Sequence, residues 1–211
     1  MRGEKFRGRF GVIVPLSGFS TSRMEEYQNL ILNRFSFNCF SFYSGDAHPS
    51  VLFDGVKYRL AIILSGASSN GTFNSGYIRW YAEERSILFP CKLSYEICPF
   101  STGYLRFAKL GTPLSSSVIC KLVNTRTTIG VYLRKTGRGH VTYHRSPVFW
   151  IRSMDFEPYF KSPVKERSTD HLKDIYFENQ KIAKAAGSII NSSLFLRLVL
   201  CSGKLSKYYW R

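Results

Sequence analysis

Residues 60–64 read Leu-Ala-Ile-Ile-Leu, a run that offers no polar face to water. A strand turns alternate side chains to opposite faces. One that is apolar at every position must therefore lie inside a sheet, covered on both sides. The flanking sequence supplies the covering elements. Phe10–Val14 reads as a short buried strand stopped by Pro15. Ser20, Thr21 and Ser22 offer N-caps for a helix through about Phe35. Met24, Tyr27, Leu30 and Ile31 form its apolar stripe, and Glu25 and Glu26 sit in its first turn, where the helix dipole favours anions. Phe37–Tyr43 is a second strand. A turn-rich loop from Ser44 to Pro49 and a further stretch, Val51–Val56, lead into Tyr58–Leu64. Strand, helix, strand, loop, strand is the back half of an α/β sheet domain.

Composition shifts at Ser65-Gly66-Ala67-Ser68-Ser69-Asn70-Gly71, a small-residue linker. The expected organisation is an α/β portion over residues 1–66, a second region over 67–180 and a C-terminal helix from 181. In the second region Thr72–Trp80 is strand-like and Ala82–Leu88 a short helix. Pro113–Val123 is a helix with Thr112 as N-cap. Thr127–Lys135 and His140–Arg145 are expected to pair as a hairpin around Thr136-Gly137-Arg138-Gly139, the glycines supplying positive φ. Lys161–Thr169 is loop and Leu172–Phe177 a strand. Lys181–Leu200 is a helix packing through Ala185, Ile189, Ile190, Ser193 and Leu194.

Charge bears on partners rather than on fold. Thirty Lys and Arg against fourteen Asp and Glu give a formal +16, and 44% apolar with 16% aromatic residues exclude wholesale disorder. From Ile97 to Met154 no carboxylate occurs. The same stretch holds Arg106, Lys109, Lys121, Arg126, Arg134, Lys135, Arg138, Arg145 and Arg152, interleaved with aromatic residues. A folded surface of this kind needs an external anion, and nucleic acid is the commonest large one. The five cysteines, Cys39, Cys91, Cys98, Cys120 and Cys201, lack metal-type spacing and read as reduced thiols of a cytoplasmic protein. No apolar stretch is long enough for a membrane span, so no membrane partner is expected.

Enzyme signatures are mostly missing. There is no G-x-S-x-G elbow, no P-loop and no G-x-G-x-x-G. Asp155 and Glu157 lie two apart among aromatic residues, where a structural role is the simpler reading. His144-Arg145 has no nucleophile spaced to serve it. No metal ligand set is read.

Two stretches carry a resemblance: Gly11-Val12-Ile13-Val14-Pro15-Leu16-Ser17, and Leu52-Phe53-Asp54-Gly55-Val56 leading into the apolar run. The chain resembles adenine-N6 DNA methyltransferases, in particular the large restriction–modification enzymes that join methylation to target recognition. In that family a strand ending in v-I-P-x-S follows the catalytic motif. A helix and strand then lead to an L-F-x-g-v loop that opens a final sheet hairpin. The likeness continues through Tyr77–Arg85, Tyr143-His144-Arg145-Ser146-Pro147, Trp150–Phe156 and Ile190–Phe195. The Gly-rich loop that holds S-adenosylmethionine and the Asn-Pro-Pro-Tyr motif lie upstream of the v-I-P strand in the family, and neither is present here. The resemblance therefore implies a partial, Rossmann-like methyltransferase sheet joined to an α+β target recognition domain: the C-terminal part of such an enzyme, without its own cofactor or catalytic residues. The ending also suggests truncation.

By its place in the loop, Phe53 resembles the family residue that packs against the extruded base. Its structural alternative is a plug at the sheet edge. Lys57 and Arg59 are expected to reach phosphate from the same loop, while Tyr58 reads equally as core. The acid-free tract falls where the family places target recognition, which makes Arg134, Lys135, Arg138 and His140 at the hairpin tip the leading DNA contacts. Arg79, Trp80, Arg85, Tyr143, Arg145 and Arg152 follow. The implied partners are double-stranded DNA and a second polypeptide carrying the missing methyltransferase half. The alternatives are a methyltransferase with a degenerate cofactor site, a basic RNA- or ribosome-associated module without enzymatic activity, and a fragment that does not fold alone and exposes Leu60–Leu64 as a sticky edge.

Overall fold

The structure, a computed structural model, describes residues 8–45, 51–67, 70–100, 105–144, 150–156, 159 and 172–202. It is mixed α/β, with five α-helices among the described residues. The chain divides into two compact units, Met1–Val123 with Leu200–Lys204 and Asn124–Val199 with Leu205–Arg211.

Unit 1 is built on a five-stranded mixed sheet of β1 (Phe10–Pro15), β2 (Phe37–Tyr43), β3 (Leu60–Gly66), β4 (Gly71–Ile78) and β5 (Tyr95–Ile97), in the order β1-β3-β2-β4-β5. β3 is antiparallel to both β1 and β2, and β4 runs parallel to β2. The apolar run is thus paired on both sides, and the open edge that the non-folding alternative gave it is not seen. Leu60, Ala61 and Ile63 are buried as expected, but Leu64 is exposed on one face. The division of the chain also differs from the expected boundary at residue 66. β4 lies beyond that boundary and joins the same sheet, with Gly71 N donating to Ser36 O at 2.9 Å. The small residues around Gly66 connect two strands of one sheet, because parallel pairing to β2 requires β4 to start beside the start of β2.

One sheet face carries Phe40, Phe42, Ala61 and Ile63, buried under Leu16, Phe19, Ile31 and Phe107. Phe107 meets the rings of Phe19 and Phe40 edge-on at 4.9 and 5.0 Å, an arrangement favoured by the aromatic quadrupole. α1 (Glu25–Arg34) packs on this face through Gln28 and Ile31, whereas Met24 and Leu30 are exposed. The helix starts later than Ser20–Ser22 imply, after a 3-10 turn over Ser22–Met24, which rotates its buried stripe. The other face carries Tyr43, Leu60 and Ile78, packed with Leu52, Trp80 and Leu88. Leu88 opens the short helix α2 (Leu88–Cys91), which follows a 3-10 turn over Ala82–Ile87. α3 (Pro113–Val123) begins as expected, with Thr112 Oγ1 accepting from Ser115 N at 3.2 Å.

Unit 2 holds a four-stranded sheet of β6 (Leu133–Arg134), β7 (Gly139–His144), β8 (Ser153–Met154) and β9 (Leu172–Phe177), in the order β6-β9-β7-β8. β6 and β7 do not pair with each other, because β9 lies between them and is antiparallel to both. The expected hairpin is therefore replaced by a crossing over the end of β9. Gly137 and Gly139 do not adopt positive φ. They are needed for close approach: a Cβ on Gly137 would overlap the backbone of Phe177, and one on Gly139 the backbone of Asn179. α4 (Gln180–Ile190) covers one sheet face through Ala183 and Ala186 against Val141 and Phe177. Ala185 and Ile189 are exposed, contrary to expectation. The single C-terminal helix is broken at Asn191 and resumes as α5 (Ser193–Ser202). No single described helix is long and apolar enough to cross a membrane.

Candidate nucleic-acid interface

Since β1 and β2 are each antiparallel to β3, and β4 is parallel to β2, the strands β1, β2 and β4 point the same way. The carboxyl ends of parallel strands are where open α/β sheets usually hold ligands. Here that rim is closed over by residues 51–59. Leu16 N donates to Arg59 O at 2.8 Å, and Arg85 Nη1 donates to Val51 O at 3.4 Å. Gly45 lies so close to Tyr58 and Arg59 that a side chain there would overlap their backbone.

Leu52 anchors this segment in the cluster of Tyr43, Trp80 and Leu88. The next residue, Phe53, faces outward at 39% exposure, at the start of a turn in which Val56 N donates to Phe53 O. Gly55 has φ +78°, a conformation that a side chain would strain. Leu52, rather than Phe53, is the residue of this loop that packs into the sheet cluster. Lys57 and Arg59 are exposed, and Tyr58, which the sequence left between core and surface, is 70% exposed. Tyr81 and Phe89, which sequence reasoning did not single out, are exposed next to the buried Trp80 and Leu88. Their signal is the alternation of inward and outward neighbours around one cluster. Arg79 is exposed, with its guanidinium carbon 5.8 Å from the centre of the Tyr77 ring. Trp80 itself is core, a correction to its place among the DNA contacts.

The rim is not purely cationic, since Asp54 and Glu83 are exposed beside Phe53 and Tyr81. Glu84 is paired with Lys92 and accepts from Tyr81 N at 2.9 Å. The Lys92 ammonium first, and that backbone donor second, hold its carboxyl below the usual range.

The acid-free tract divides in the structure. Arg106 and Lys109 are buried in unit 1 and do not face a polyanion. The Arg106 guanidinium donates to Asn29 Oδ1 at 2.6 Å and Gln28 Oε1 at 2.7 Å, with Glu25 at 3.6 Å. Lys121, Arg126, Arg134, Lys135, Arg138 and Arg152 are exposed, and Arg145 lies outside the described residues. Within unit 2, Arg134, Lys135 and Arg138 cluster about the crossing over β9 rather than at the tip of a ribbon. Arg134 donates to Val131 O and Leu133 O and lies 3.9 Å from Glu178. His140 and Tyr143 are half-buried on β7.

The turn that follows β1 is filled by its own side chains, with Leu16, Gly18 and Phe19 buried. Among the described residues no group of three or more His, Cys, Asp or Glu is placed to hold a metal. No family model, curated protein or solved structure matches the chain.

Proposed function

We propose that the chain is a DNA-binding, target-recognition portion of a site-specific adenine-N6 methyltransferase of a restriction–modification system. In this reading unit 1 is the far half of the methyltransferase sheet, unit 2 belongs to target recognition, and methyl transfer requires a partner polypeptide with the cofactor half. The observation that carries the reading is the L-F-x-G-V loop. It follows a strand, a helix and a strand, opens onto an antiparallel strand, and lies at the carboxyl ends of the parallel strands with Phe53 turned outward. That is the order the resemblance implies, and the position suits an aromatic face offered to an extruded base. A second support is β1. It is an edge strand with no described strand on its outer side, and Phe10 and Ile13 on it are exposed. Strands of a partner would extend the sheet there.

Phe53→Ala tests the reading through binding of two duplexes, one fully paired and one carrying an extrahelical adenine. Stacking on a single base supports a loss of about tenfold for the second duplex. The fully paired duplex should change by no more than about twofold. Equal losses on both duplexes, or none on either, would remove Phe53 from the base pocket and with it the argument for the family.

A further inference from the structure

The face of the unit 2 sheet away from α4 carries a row of side chains that its core does not use, with Arg134 exposed and Tyr176 and His140 half-buried. The register sets Arg134 on β6 opposite Tyr176 on β9, and Tyr176 opposite His140 on β7. These residues share one face. Their chain neighbours Leu133, Phe177 and Val141 fill the other, against α4. The period of two that packs Ile175 and Phe177 against α4 therefore turns Tyr176 to the other face. The His140 and Tyr176 rings lie 6.3 Å apart at 40°. Lys135 and Arg138, both exposed, lie on the crossing between β6 and β7. The row ends at Asp174 and the buried Thr142, whose Oγ1 donates to the Asp174 carboxylate at 2.6 Å. Among the described residues Glu178 also lies near the row, 3.9 Å from Arg134 at the surface.

We infer that this face binds a short run of unpaired DNA, with Tyr176 and His140 each taking the face of a base and Arg134, Lys135 and Arg138 the phosphates. A four-stranded sheet with helices on one side and stacking side chains on the other is a known solution for unpaired nucleotides. Stacking needs a base face, which a duplex hides between neighbouring pairs, so the row selects unpaired strand over duplex. An acidic peptide would satisfy the cations but give the two rings nothing to stack on. That the strand is DNA rests on the reading above; the stacking surface does not.

The test is fluorescence anisotropy of the full chain with a labelled oligothymidylate, the matching oligouridylate and a duplex. Tyr176→Ala should weaken oligothymidylate binding about tenfold or more, whereas Tyr176→Phe, which keeps the ring, should stay within about twofold of the parent. His140→Ala carries the same expectation if Tyr176→Ala fails to give the parent circular dichroism spectrum. Parent-like binding by the alanine variants, or a Phe variant as weak as the Ala variant, overturns the stacking face. Oligouridylate bound as tightly as oligothymidylate, or more so, overturns the choice of DNA. Phe53→Ala is read on the extrahelical-adenine duplex and Tyr176→Ala on the single strand, so either reading can fail while the other stands.

Discussion

Lys109 has its ammonium 5.3 Å from the centre of the Phe42 ring and 3.3 Å from Ser20 Oγ, and the residue is 2% exposed. Burial opposes its charge and brings its pKa down from 10.5 to about 8. The folded state therefore binds this proton less readily than the unfolded chain. Its contribution to stability rises with pH between about 8 and 10.5, and below about 8 the fold carries the full cost of a buried charge. Lys109→Met should raise the unfolding free energy at pH 7 by roughly 3 kcal/mol. The gain should shrink to near zero above pH 10.5 in urea titrations. A gain that does not change with pH would mean that packing, not charge, is the cause. Nothing in the sequence marks Lys109 as different from Lys135, for both lie in the same acid-free tract. One is enclosed by Phe42 and the turn after β1, the other is on an exposed crossing, and only long-range contacts separate them. Phe53 was legible to a greater degree, because its outward direction is set locally by the inward Leu52 and the turn at Gly55.

Elements with a strong local signal stand where the sequence places them. Phe37–Tyr43, Pro113–Val123 and Leu172–Phe177 coincide with β2, α3 and β9. Pairing does not follow from such signals. Thr127–Lys135 and His140–Arg145 look like the arms of a hairpin, but β9, whose pairs with them lie 28 to 44 residues further on, takes the hydrogen bonds of both. The C-terminal helix breaks for a reason of the same kind. Asn191 accepts from Ser153 N at 2.8 Å and donates to Ser153 O at 2.9 Å, serving the backbone of β8 as a strand would. A continuous helix would carry that amide away. Asn191→Ala should lower stability by about 1–2 kcal/mol and reduce the amide protection of Ser153 in hydrogen exchange. Unchanged protection would show that the break has another cause.

For the molecule as a whole, a formal +16 predicts binding to DNA that falls steeply with salt. Replacing Arg134, Lys135 and Arg138 together by alanine should weaken duplex binding and reduce the salt slope by about 2.7, if each neutralises one phosphate. Filter binding over a salt series measures both. A parent affinity that barely changes with salt would remove the polyanion argument altogether.

The sequence by itself determined that the chain folds as mixed α/β, that Leu60–Leu64 is interior sheet, and that cations outnumber carboxylates two to one. These are local or summed properties, written in periodicity and composition. The tertiary structure decided which cations are buried, that β4 belongs to the first sheet, and that Arg134, Tyr176 and His140 form one row. Each of those depends on contacts between residues far apart in the chain, and local periodicity fixes the faces of a strand but not its neighbour.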